Sequence, residues 1–231
     1  MTALPFLPPT PVGFPDPHTA LEEPDGLLAA GGDLTVAWLL EAYANGIFPW
    51  FDSDDEFILW WSPAQRAVLR PGDMHVSRSL AKRSRNAGFT LSMDTAFDAV
   101  VGACGAPRRD GSGTWITPRM RASYNALHAQ GYAHSVEVWS DHDLCGGLYG
   151  VSLGAMFFGE SMFSKQADAS KVAFHALQAQ LARWQFELID CQIMNPHLHS
   201  LGVNEIPREE FLHMLEQNAH KSTKRGMWCF D

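Results

Sequence analysis

The sequence has no Cys-x-x-Cys pair, and its four cysteines, Cys104, Cys145, Cys191 and Cys229, lie far apart among 231 residues. That spacing fits neither a zinc knuckle, nor a dithiol redox motif, nor a disulfide framework, so reduced thiols are expected. His197-x-His199 follows Cys191 but has no second ligand pair at metal-site spacing, and neither a metal nor a cofactor is expected. No apolar run approaches the roughly 18 residues of a membrane helix. The stretch from Met1 to Pro17 is proline-rich and lacks a basic segment followed by an apolar one, so a secretory signal is not expected and the cytoplasm is the expected compartment. Charge is sparse as well: 19% charged against 46% hydrophobic residues describe a globular chain with enough bulk for a proper core and no membrane partner.

Against that background three polar side chains stand out. Glu160 lies in Phe158-Gly159-Glu160-Ser161-Met162-Phe163, and Asp190 and Gln192 lie in Leu188-Ile189-Asp190-Cys191-Gln192. A carboxylate in an apolar strand is costly to desolvate unless it is paired or hydrogen-bonded, so the fold alone gives little reason to put one there. Alternation along an extended segment puts Asp190 and Gln192 on one face, with Ile189 and Cys191 on the other. An acid and an amide at a solvated strand end is the plainer reading of the same residues.

Net charge is −9, yet between Arg66 and Arg121 ten basic residues face four acidic ones, a local +6 that leaves −15 for the rest. Such separation predicts a basic face able to hold a phosphate backbone and an acidic one able to hold a cation. Within the basic stretch Ser77 opens a short helix carrying Arg78, Lys82 and Arg85 on one stripe, with Arg83 beside it. The linker from Gly105 to Gly113 is basic and glycine-rich, and it delivers Trp115 on a loop ahead of a Thr117-Pro118 helix start. Earlier in the chain Asp33 is expected to cap a helix through Tyr43 that stops at Asn45-Gly46. After it, Trp50 sits among prolines that can hold a ring rigidly, before an acidic loop from Asp52 to Glu56. Trp60 and Trp61 read as a small tryptophan core. Strand-like runs 133–139, 144–151 and 155–158, separated by short turns, predict an antiparallel meander. A helix from Ser170 with Phe174, Leu177, Leu181 and Trp184 on one face, a strand over 186–192 and a last helix from Pro207 complete an α+β pattern.

Gly31-Gly32-Asp33-Leu34, Asn45-Gly46-Ile47-Phe48-Pro49-Trp50, Trp60-Trp61-Ser62-Pro63, Gly159-Glu160-Ser161-Met162-Phe163-Ser164 and Ile189-Asp190-Cys191-Gln192 together closely resemble the leucyl/phenylalanyl-tRNA–protein transferase family. Several separate motifs agree in order, from about Gly31 to Arg208. The resemblance implies a small N-terminal domain, residues 1–64, beside a larger domain, residues 65–231, similar to the GCN5-related N-acetyltransferase fold. It implies a cytosolic aminoacyltransferase that moves leucine or phenylalanine from aminoacyl-tRNA to the N-terminal arginine or lysine of acceptor proteins, creating a degradation signal. Trp50 and Trp115 resemble the pair that stacks on the terminal adenosine. Met162 and Ile189, with Phe174, Leu177 and Leu181, resemble the side-chain pocket, whose shape favours leucine, phenylalanine or methionine over valine or alanine. The basic stripe Arg78, Lys82, Arg83 and Arg85 is the expected tRNA contact.

The chemistry expected is attack of a neutral α-amine on an activated ester, where positioning supplies much of the rate. Asp190 is expected to accept a hydrogen bond from that amine, Gln192 to bond the amine or the developing oxyanion, and Glu160 to fix Gln192. Cys191 is expected to point away. An acyl-CoA N-acetyltransferase would need a glycine-rich pyrophosphate turn, and Lys165–Lys171 contains no glycine. A non-catalytic binder of N-terminal arginine would leave Trp50, Trp115 and the basic stripe without a role.

Overall fold

The structure is a computed structural model that describes residues 4–86, 88–106 and 114–231. The first part of the chain builds a small four-stranded sheet from β1 (Phe6–Leu7), β2 (Leu27–Gly31), β3 (Phe48–Pro49) and β4 (Leu59–Trp61), in the order β1-β2-β4-β3. Helix α1 (Val36–Ala44) joins β2 to β3. Its N-cap is Thr35, whose Oγ1 accepts the Trp38 N–H, and not the expected Asp33, which accepts the Leu34 N–H. Its stop is as expected: Asn45 takes the C-cap and Gly46 the left-handed position at φ +71°. The tryptophan core is real at Trp60, which is fully buried, stacks on Trp38 at 5.9 Å and donates its indole N–H to Gly31 O. Trp61 instead braces Trp50: its Nε1–H donates to Trp50 O at 2.8 Å and the two rings lie 5.7 Å apart.

The rest of the chain forms a seven-stranded sheet. In sequence it contributes β5 (Gln65–Leu69), α2 (Arg78–Asn86), β6 (Thr90–Met93), α3 (Phe97–Cys104), α4 (Pro118–Ala129), β7 (Ala133–Ser140), β8 (Asp143–Leu153), β9 (Met156–Ser164), α5 (Ala169–Arg183), β10 (Leu188–Asp190), α6 (Pro196–Ser200), β11 (Asn204–Pro207) and α7 (Arg208–Asn218). The strand order is β11-β5-β10-β9-β8-β7-β6, antiparallel throughout except for β9 beside β10. The expected meander is β7-β8-β9, and the expected Thr117 cap is present, its Oγ1 accepting the Met120 N–H at 3.2 Å. Helices α3 and α4 pack on one face of the sheet with the small sheet and α1, and α5 packs on the other with α2 outside it. The layout is α+β, with one apolar cluster running across both sheets. Among the described residues no helix is long and apolar enough to cross a membrane.

Two departures from regular pairing make room in this sheet. Parallel pairing of β9 with β10 covers only Met156–Phe158 against Leu188–Asp190. Strand β9 then continues along β8 to Ser164, while the other chain turns away. Across β8 and β9 the register runs Tyr149↔Ser161 and then Gly150↔Gly159, so Glu160 is the extra residue of a β-bulge. The strand expected over 186–192 is therefore shorter, and Gln192 lies beyond its end at φ +56°.

Arg66 of β5 and Asp190 of β10 are both fully buried and meet side by side, Nε to Oδ1 at 2.8 Å and Nη2 to Oδ2 at 2.7 Å. The remaining guanidinium nitrogen donates to Gly46 O at 3.0 Å, and the rings of Phe48 and Phe211 lie 4.9 and 4.6 Å from its centre. Removing one partner would leave the other as an uncompensated buried charge. Arg66→Ala should therefore lose about 3–5 kcal/mol of stability in urea denaturation. A loss below 1 kcal/mol would show that water reaches Asp190 and replaces the guanidinium.

Candidate active site

Where β9 and β10 part, a cavity of about 410 Å³ opens at the ends of the two strands. Its walls come from the bulged half of β9, the segment after Asp190, the inner face of α5, and two aromatic loops. Trp50 and Trp115 both line it. Trp50 follows Pro49, has its N–H bonded to Leu59 O and remains 42% exposed, so its ring is held but accessible. Trp115 is half-buried just before the α4 cap, and its carbonyl accepts the Thr117 N–H. Most of the basic linker expected to carry it, residues 107–113 with Arg108 and Arg109, lies outside the described residues.

Glu160 and Gln192 face each other in this cavity, with Gln192 Nε2 donating to Glu160 Oε1 at 3.3 Å. Two tyrosines fix the carboxylate from the α1 and α4 side: Tyr43 Oη donates to Oε1 at 2.7 Å and Tyr124 Oη to Oε2 at 2.5 Å. Burial pushes the Glu160 carboxyl up to about 7, and the two tyrosine hydrogen bonds pull against that shift. Burial, and then the Glu160 charge, hold both phenols well above their ordinary value, so they stay protonated and serve as donors. The bulge explains the geometry. It turns Glu160 and Ser161 to the same side of the sheet, toward the helices, where a regular strand would have alternated them.

Asp190 is the main correction. Its carboxylate does not line the cavity; it lies beneath, on Arg66, and its Oδ1 also accepts the Gln192 backbone N–H at 2.9 Å. Asp190 and Gln192 do not share one pleat, because the chain leaves the strand between them. The left-handed backbone at Gln192 costs on the order of 1–3 kcal/mol for a residue with a side chain, and the bonds from its N–H to Asp190 and from Ala67 N–H to its carbonyl hold it there. Cys191, expected to point away, does line the cavity. Burial pushes its thiol far above the ordinary range, so it stays protonated and is not a nucleophile.

Of the expected side-chain pocket, Met162, Phe174 and Leu177 line the cavity, whereas Ile189 and Leu181 are buried in the core behind it. Leu148 and Phe157, which carry no distinguishing mark in the sequence, complete this apolar end. Tyr43 and Tyr124 were also missed, since both fall at core positions of their helices. The available signal was the hydroxyl, which a buried tyrosine must satisfy.

On the basic stretch, Arg78, Lys82 and Arg85 are exposed along α2. Arg83 is turned inward, over the Phe89 ring at 5.4 Å and toward Ala167 O at 3.2 Å. Arg66 is buried and Arg121 is paired with Asp98, so the free positive surface is smaller than the residue count predicts. Helix α2 packs against α5, whose inner face walls the cavity, and Lys171 of α5 acts on the cavity residue His197, helping burial to lower its pKa.

Comparison with known proteins agrees with this layout. Residues 32–64 match the family model described as the leucyl/phenylalanyl-tRNA protein transferase N-terminal domain, and residues 68–216 match leucyl/phenylalanyl-tRNA protein transferase itself. Proteins named leucyl/phenylalanyl-tRNA–protein transferase are 57% identical over 225 residues in Chromohalobacter salexigens (97% of this chain, 88% of that protein) and 55% identical over 218 residues in Nitrosospira multiformis (94% of each). One from Thiobacillus denitrificans is 55% identical over 218 residues, 94% of this chain and 95% of that protein. Among solved structures, a GCN5-related N-acetyltransferase from Kribbella flavida is 12% identical with a TM-score of 0.39, covering 75% of this chain and 60% of that one. That score adds nothing to the strand order and packing described above. The two family matches and the relatives at 55–57% identity place the chain in the leucyl/phenylalanyl-tRNA protein transferase family, and make it an aminoacyltransferase.

Proposed function

We propose that this protein takes leucine, phenylalanine or methionine from the corresponding aminoacyl-tRNA and joins it to the N-terminal arginine or lysine of acceptor proteins in the cytoplasm, marking them for degradation. One observation carries the reading: a single cavity has two accessible tryptophans, a Glu160–Gln192 pair and an apolar end of leucine, methionine and phenylalanine side chains. Trp50 and Trp115 stack on the terminal adenosine, and the apolar end takes the transferred side chain. The exposed stripe of α2 holds the phosphate backbone. The acidic loop from Asp52 to Glu56, directly after Trp50, favours a guanidinium or ammonium group on the acceptor.

In the reaction the neutral α-amine of the acceptor attacks the ester carbonyl. The new C–N bond forms, the bond to the ribose oxygen breaks, and the proton lost by the amine ends on that oxygen. Gln192 has its Nε2 engaged with Glu160, which leaves its side-chain carbonyl as an acceptor for an amine N–H. Glu160 orients that amide, and the tyrosines orient Glu160. Asp190 has no contact with the reacting amine in this reading. It holds the Gln192 backbone and is a positioning residue.

The direct test is incubation of the pure protein with radiolabelled leucyl-tRNA and peptides beginning with arginine, lysine or alanine. Label is expected on the first two alone; equal labelling of all three would remove the acceptor assignment. Gln192→Ala should lower kcat by roughly a hundredfold while charged-tRNA binding stays near that of the parent, and a full loss of tRNA binding would reassign the residue. Replacing Arg78, Lys82 and Arg85 together by alanine should reduce the slope of log K against log salt by about two to three. An unchanged slope would remove the stripe from the RNA contact.

A further inference from the structure

The wall of the cavity at Phe157 is clamped between two neighbours. On one side it lies on Gly150 of β8, so close that a Cβ there would stand 2.6 Å from the ring carbons Cε1 and Cζ. Against it, 6.0 Å between ring centres, packs Trp228, far along the chain and close to its last residue. Trp228 is itself fixed: its indole lies face to face with His134 at 3.6 Å and edge-on to Trp184 and Phe186, and its backbone N–H donates to Asp94 Oδ2 at 2.7 Å. The segment beyond it is fastened to α5, with Asp231 accepting from Gln180 Nε2 at 2.6 Å and from Trp184 Nε1 at 3.1 Å.

We infer that Trp228 is a positioning residue for donor specificity: by blocking retreat of the Phe157 ring, it sets how long a side chain the apolar end of the cavity accepts. The inference rests on the proposed reading of that end as the amino-acid pocket. Interiors are close-packed, so a ring with backbone on one side and an indole against it has nowhere to move, and removing atoms behind it gives it room. Phe157 cannot shift toward β8, where even the glycine at 150 leaves no space. The depth of the pocket is then decided by a residue that does not touch the cavity.

The test compares Trp228→Leu and Trp228→Phe with the parent, using leucyl-, phenylalanyl- and tryptophanyl-tRNA as donors and an arginine-initiated peptide as acceptor. The expected result is a rise of at least fivefold in the ratio of kcat/KM for the tryptophanyl over the leucyl donor, most of it through KM. A purely structural role would lower the melting temperature and depress all three donors alike. An unchanged donor ratio in a folded variant overturns the inference. Trp228→Phe keeps a ring on His134 and decides the matter if Trp228→Leu does not fold. If the parent transfers none of the three amino acids, the reading of the cavity fails, and the inference fails with it.

Discussion

A buried guanidinium–carboxylate pair holds this architecture in register. Taking Arg66 and Asp190 out of water is costly, and the cost is offset only because both charges are fully used. Two parallel hydrogen bonds join them, a third goes to the Gly46 carbonyl, and a fourth runs from the Gln192 N–H to the carboxylate. Together the four bonds tie several pieces of chain. The pair bridges β5 to β10, reaches the turn that closes α1, and fixes the residue at which the chain departs from β10. An apolar pair of similar volume could fill the same space, but it would set neither the Gly46 turn nor the backbone of Gln192.

The cavity follows from that departure together with the bulge in β9. Parallel strands share evenly spaced hydrogen bonds as long as both stay extended. Here one strand gains a residue at Glu160 and the other ends at Asp190, so the ladder stops and a gap opens between them. Both features are local backbone irregularities, and each turns a polar side chain toward the same space. The result is a polar pair on rigid strand ends, backed by two tyrosines whose own positions are set by helix packing.

What could be read from the sequence divides along the same line. Elements defined by period and caps were legible: the meander, the Thr117-Pro118 helix start, the stop at Asn45-Gly46 and the helix that begins near Ser170. So were Trp50, Trp115, Glu160 and Gln192 as cavity residues. The pairing of Asp190 was not, because the alternation rule assumes a strand that continues, and this one breaks after a single carboxylate. The charge count places Arg66 among phosphate-facing cations, although it lies in Gln65-Arg66-Ala67-Val68-Leu69, a strand whose apolar residues bury it. A buried acid in one strand calls for a buried base in another. Ile189 and Leu181 were misplaced by one layer: they share the apolar face of the pocket residues but lie behind them, and periodicity gives the face of an element without its depth.

Phe48 and Phe211, the two rings beside the Arg66 guanidinium, come from opposite parts of the chain. During synthesis the arginine emerges early, with its first ring already made. Its aspartate follows 124 residues later, after β6 to β9, and its second ring lies in α7. Without the aspartate the cation has no counter-charge, and burying it between the central strands is costly. The Gln192 backbone is therefore fixed only after β5 and β10, distant in sequence, have paired.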